Sequence, residues 1–113
     1  MKAIEHHSIN LRGHLFSFAR PVVMGIVNAT PDSFYAASRT QTEQEIARRA
    51  RQIVEQGGQI VDIGAFSTRP NARPVSEEEE LSRMEMAVRT VRSEVKNVPI
   101  SVDTFRPEVA RRC

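Results

Sequence analysis

The chain has 113 residues, 40% of them hydrophobic and 27% charged, with a formal charge of +2 and a pI near 9.2. That balance suits one modest soluble domain with a small core. The basic residues are interspersed with acidic ones, beside one Tyr and no Trp, so the basic stripe with stacking aromatics of a nucleic-acid binder is missing; no apolar run nears the length of a membrane span.

The amino end carries Lys2, Glu5, His6 and His7 rather than the apolar stretch of a signal peptide. The single cysteine, Cys113, can form no internal disulfide, and no Cys/His spacing suits a metal. The chain reads as neither exported nor embedded, and a reducing cytoplasm is the simplest compartment.

Residues 8–20 come first in chain order and read as a hairpin, with Ile9 and Leu11 before a turn near Gly13 and Leu15, Phe16 and Phe18 after it. His6, His7 and His14 around it read as surface histidines. "VVMGIVN" after Pro21 is apolar without alternation until Asn28, which predicts a parallel strand buried on both faces. Thr42 with Glu45 reads as a capping box, and Ile46, Ala47, Ala50, Ile53 and Val54 recur at helical spacing until Gly57 and Gly58. "QIVDIGA" predicts a second strand. Ser76 with Glu79 opens a second helix whose stripe is Leu81, Met84, Val88, Val91 and Val95. Its acids, Glu77 to Glu80, crowd the first turn and its bases, Arg89, Arg92 and Lys96, come later, which complements the macrodipole and reads as a solvated helix start. "PISVDTF" predicts a third strand, and Pro107 suits the first turn of a third helix.

Strand onsets near Val22, Ile60 and Ile100 with helices between them are the spacing of βαβ units, so the fold class is α/β with a parallel sheet. A third helix ending about two turns in would be marginal alone, and three parallel strands leave two open edges. Further chain beyond Cys113, or a second copy in a homodimer, is expected to cover them.

Ligands of parallel α/β sheets bind beyond the carboxyl ends of the strands, and polar residues fall there three times. The first strand runs into Asn28 and "ATPDSF", the second into Asp62 and then "FSTRP", the third into Asp103 and Thr104. An aspartate at the mouth of an apolar pocket can accept two N–H bonds from a flat heterocycle; the plain alternative for Asp62 and Asp103 is a carboxylate satisfied by loop amides or an arginine. Ser67, Thr68, Arg69 and Pro70 combine hydroxyls, a guanidinium fork and a rigid turn, a set suited to phosphate or carboxylate; otherwise Arg69 bridges to an acidic helix start. Asn28 offers one neutral oxygen to Mg²⁺, an ion usually completed by waters and diphosphate oxygens. No Gly-rich nucleotide loop is present.

These blocks, "MGIVNATPDSF", "VDIGAFSTRPNARPVSEEEE" and "ISVDTF" in that order, closely resemble the amino-terminal part of the dihydropteroate synthase family. The resemblance implies a (β/α)₈ barrel of which residues 21–113 supply the first three βα units, the third incomplete, with the 8–20 hairpin ahead of it. It implies condensation of 6-hydroxymethyl-7,8-dihydropterin diphosphate with p-aminobenzoate to dihydropteroate and diphosphate, a step of folate biosynthesis. By the same resemblance Asn28 binds the metal-diphosphate, and Thr30, Pro31, Asp32, Ser33 and Phe34 belong to a loop that closes over the site. Ser67, Thr68, Arg69 and Pro70 form a second mobile loop near diphosphate and p-aminobenzoate, and Asp103 holds the pterin. Asn28, Thr68 and Arg69 are the catalytic candidates and Mg²⁺ the expected cofactor.

Two stretches depart from the family pattern. Many members continue the first loop as "SDGG", where this chain has Tyr35, Ala36, Ala37 and Ser38, and Ala65-Phe66 stands where Gly-Glu is common. A full barrel needs roughly 250 residues, so 113 residues by themselves are expected to turn over little or nothing. Two alternatives stay open at this point: a pterin-binding barrel serving methyl transfer, and a non-catalytic, self-associating chain.

Overall fold

The computed structural model describes residues 7–29, 39–65, 70 and 74–113. Ser8–Leu11 (β1) and His14–Ser17 (β2) pair antiparallel with Leu11 opposite His14. The turn places Arg12 at φ 53° and Gly13 at φ 80°, the left-handed pair that a two-residue hairpin loop requires and that glycine adopts without a Cβ clash. Asn10 Oδ1 accepts from the Gly13 amide at 2.8 Å. The Phe16 and Phe18 rings meet edge to face with centroids 5.3 Å apart.

Met24–Asn28 (β3), Ile60–Gly64 (β4) and Ile100–Asp103 (β5) form a parallel sheet in the order β3-β4-β5. Arg39–Glu55 (α1) and Glu77–Glu94 (α2) make the crossovers, and Pro107–Arg112 (α3) follows β5. The strands begin where the apolar runs place them, β3 slightly late at Met24 rather than Val22.

The start of α1 differs from the expected capping box. The helix opens at Arg39, so Thr42 lies inside its first turn, buried at 7% exposure. Glu45 pairs with Arg48 at 2.8 Å, because a guanidinium at i+3 on the same helix face offers a carboxylate a charge-assisted bond. That bond holds the Glu45 carboxyl below its ordinary range. The far end of α1 follows the glycine signal. Gly57 at φ 95° donates to the Val54 carbonyl at 3.1 Å and Gly58 to the Ile53 carbonyl at 2.7 Å, the paired bonds of a Schellman cap. Ser76 caps α2 as expected, its Oγ accepting from the Glu79 amide at 3.1 Å.

Both crossover helices lie on one face of the sheet. With the strands in unidirectional order, crossovers of one hand return on the same side. That face carries Val27, Val61 and Ile63, packed against Ile46, Ala50 and Ile53 of α1, Met84, Ala87 and Val91 of α2 and Val109 of α3. An Arg51–Glu94 ion pair ties α1 to α2, and Arg112 Nε lies 3.3 Å from Glu85 Oε1 between α3 and α2; partly exposed pairs of this kind contribute only about 0–1 kcal/mol each. The expectation that β3 is buried on both faces is therefore corrected: Met24 is 49% and Ile26 54% exposed on the side without helices. Among the described residues no helix is long and apolar enough to cross a membrane.

Gly25 sits beneath α1. A Cβ built on it would lie 2.5 Å from Ile53 Cγ2, so the helix approaches β3 closely only because no side chain stands there. Gly25→Ala is expected to cost about 1–3 kcal/mol through overpacking, read as a lower urea midpoint. An unchanged midpoint would mean that Ile53 turns aside without strain.

Candidate functional site

The open face is built by register. Asn28 pairs with Gly64 and Gly64 with Asp103; one step below, Ile26 pairs with Asp62 and Asp62 with Ser101. Side chains in register on parallel strands share a face, and Val27, Ile63 and Val102 between them point to the helices. Asn28 and Asp103, each the last residue of its strand and exposed, thus stand on one side of the sheet with β4 between them. Strands lie about 4.8 Å apart, so their backbones are separated by about 10 Å.

Gly64 fills the middle position without a side chain. A Cβ there would be 3.7 Å from the Asp103 Cβ, an ordinary contact, so the strand tolerates a side chain and glycine leaves a slot between Asn28 and Asp103. The loops leave this rim from buried anchors. Ala29 and Ala65 are 1% and 0% exposed, and the Ala29 amide donates to the Gly64 carbonyl at 2.8 Å. That bond closes the ladder at the Asn28–Gly64 pair.

Of the candidate residues, the fold brings Asn28 and Asp103 together, and Pro70 is exposed. Thr30, Pro31, Asp32, Ser33, Phe34, Ser67, Thr68 and Arg69 lie outside the described residues. Asp62 is half-buried on the same open face as Asn28 and Asp103. Ser101 joins it there, a residue that only the register singles out. Among the described residues no three His, Cys, Asp or Glu side chains gather as a metal cage. A polar depression of about 610 Å³ between α1 and the outer flank of α2, lined by Glu43, Glu85, Arg89 and Thr90 among others, belongs to the helical layer and not to the rim.

The acidic start of α2 is not uniformly solvated. Glu77 and Glu78 are exposed, but Glu80 has no exposed surface. Its Oε1 lies 3.1 Å from Arg106 Nη1, and its Oε2 accepts a hydrogen bond from Thr104 Oγ1. Arg106 Nη2 also donates to the Val75 carbonyl at 2.8 Å. A buried carboxylate needs both oxygens satisfied and a cation beside it, and residues just after Asp103 supply both bonds and the cation. Sequence reasoning missed Glu80 and Arg106. The available signal was helical phase, since Glu80 precedes Met84 by one turn and continues the buried stripe.

A profile of the pterin binding enzymes matches residues 24–113. The chain belongs to this family. It is similar to the dihydropteroate synthase of Bacillus subtilis (strain 168), 42% identical over 91 residues that make up 80% of this chain and 32% of that one. A folate synthesis bifunctional protein of Arabidopsis thaliana is 43% identical over 105 residues, 90% of this chain and 22% of its own. Among solved structures, Xanthomonas albilineans dihydropteroate synthase with 4-aminobenzoic acid superposes with a TM-score of 0.80 at 38% identity, covering 96% of this chain and 39% of that one. Burkholderia cenocepacia dihydropteroate synthase complexed with 7,8-dihydropteroate does so at 0.69 and 40% identity, over 88% and 31%. The chain spans 22% to 32% of the length of these curated relatives.

Truncating Glu80 to Ala leaves the Arg106 guanidinium, only 19% exposed, without its carboxylate. A loss of about 3–5 kcal/mol is expected, measured by urea unfolding against Glu78→Ala, an exposed neighbour that should change stability by less than about 0.5 kcal/mol. Equal effects would place Glu80 in solvent.

Proposed function

We propose that this chain is part of a dihydropteroate synthase, joining 6-hydroxymethyl-7,8-dihydropterin diphosphate to p-aminobenzoate in folate biosynthesis. The observation that carries this reading is the placement of Asn28 and Asp103 at one register on the open sheet face, on either side of Gly64. Family membership and the similarity to dihydropteroate synthases support it. In this reading residues 21–113 are the first three βα units of a (β/α)₈ barrel, the bare face of Met24, Ile26 and Asp62 is turned to the barrel interior, and the 8–20 hairpin precedes the wall. Closure of a barrel would bury Met24 and Ile26, which accounts for the unbroken apolar run of β3.

Each residue then has a task. Asp103 accepts N–H bonds from the pterin ring and sets its orientation. The Gly64 slot admits the flat ring edge beside it. Ser67, Thr68 and Arg69 donate to diphosphate and to the carboxylate of p-aminobenzoate, Pro70 limiting the loop that carries them. Thr30, Pro31, Asp32, Ser33 and Phe34 form the lid that keeps water from the electron-deficient methylene. The bond from that methylene carbon to the diphosphate oxygen breaks with its electron pair leaving on diphosphate, the arylamine nitrogen then bonds to the carbon, and the amine loses a proton. Among the described residues no acidic cage gathers, and the neutral amide of Asn28 would suit Mg²⁺ as a single protein ligand. Bound there, the ion would neutralise charge on the leaving diphosphate.

The test is the complete gene product assayed with both substrates and Mg²⁺. Dihydropteroate formation is expected, and its absence, or preference for a methylfolate as ligand, would overturn the reading. Within that assay Arg69→Ala should weaken diphosphate binding by about 1.5–3 kcal/mol, the scale of a charge-assisted hydrogen bond. Unchanged affinity would mean that Arg69 faces solvent. Gly64→Leu should leave the fold's helical signal intact while abolishing most dihydropterin binding, seen by calorimetry; undiminished binding would locate the ring elsewhere.

A further inference from the structure

Glu80, Thr104 and Arg106 have no task in the reaction proposed above, yet they form a closed hydrogen-bonded ring beside Asp103. Thr104 Oγ1 donates its one proton to Glu80 Oε2 and uses a lone pair to accept from the Arg106 amide at 3.2 Å. The Arg106 side chain returns to Glu80, Nη1 to Oε1 at 3.1 Å. Its second nitrogen, Nη2, reaches the Val75 carbonyl at 2.8 Å, next to the Ser76 cap of α2.

The segment so held is the turn between β5 and α3. Strand pairing ends at Asp103, and α3 begins at Pro107, which has no amide proton to give. Between them the backbone lacks the repetitive bonds of either element, so its path depends on side chains. The ring supplies them from α2, whose own position is fixed by Met84, Ala87 and Val91 in the core. A buried ion pair is a weak source of stability, because hydrophobic residues of similar volume often do as well. Its value here is geometric, since one carboxylate grips both the side chain after Asp103 and the guanidinium two residues further on.

We propose that Glu80, Thr104 and Arg106 are positioning residues for Asp103: the ring locks the β5–α3 turn to the first turn of α2 and thereby fixes the direction in which the Asp103 carboxylate meets the pterin. This rests on the proposed function.

The test uses Thr104, because removing Glu80 is expected to unfold much of the protein. In the complete gene product, Thr104→Val keeps the shape and removes the hydroxyl, and Thr104→Ser keeps the hydroxyl. The probe is 6-hydroxymethyl-7,8-dihydropterin diphosphate, with its dissociation constant and KM measured beside the KM for p-aminobenzoate. Thr104→Val is expected to weaken the dihydropterin by about tenfold and to raise its KM more than it lowers kcat. Thr104→Ser should stay within about twofold of the parent. Arg106→Lys, which retains the charge but not the fork that reaches both Glu80 and Val75, should fall between them and serves if the valine variant does not fold. Valine binding as tightly as threonine, or serine losing as much as valine, overturns the positioning role. A parent protein that binds no dihydropterin overturns the proposed function itself, and this role with it.

Discussion

Parallel pairing of β3, β4 and β5 in one register is the constraint from which the rest of the structure follows. It sends Val27, Val61 and Ile63 toward the helices and, by the two-residue period of a strand, sends Asn28, Asp62, Gly64, Ser101 and Asp103 the other way. A slip of one residue in any strand would exchange the two sets, placing carboxylates under α2 and valines on the rim. The hydrophobic core and the candidate site are therefore two faces of a single ladder.

The two faces are built to different tolerances. On the helical side the packing is close enough that a methyl at Gly25 would strike Ile53, and the described buried side-chain nitrogen and oxygen atoms all have hydrogen-bond partners. The open side leaves Met24 and Ile26 about half exposed and keeps an empty position at Gly64. The Glu80 ring joins the two. It is a polar island within the helical layer, and it ends one residue from the rim aspartate. A scaffold can hold a carboxylate in a defined direction only if the turn behind it is itself over-determined, and here side-chain bonds perform that task where backbone pairing stops.

Local signals in the chain proved readable in proportion to how local their physics is. The Arg12-Gly13 turn, the double-glycine stop of α1 and the Ser76 cap each depend on a few neighbouring residues, and each formed as expected. Thr42 with Glu45 had the same pattern as Ser76 with Glu79 but lies inside α1, because the helix continues back to Arg39 and Glu45 finds Arg48. The unbroken apolarity of β3 gave its parallel pairing but not which face would be covered, which depends on where both crossovers return. The acid run at the start of α2 looked uniform, whereas residue 80 turns inward on the Met84 stripe and takes its cation from a residue 26 positions away.

Composition, periodicity and the three motif blocks were enough to determine the order of the elements, the parallel sheet, the rim residues Asn28 and Asp103, and the family. Those features are carried by short-range propensity and by residue patterns that can be read without coordinates. Register across strands, the openness of one sheet face, the slot at Gly64 and the ring that ties Glu80 to Thr104 and Arg106 were decided only by the tertiary structure. Each depends on contacts between segments far apart in the chain, where burial makes a charge choose a partner that no local pattern names.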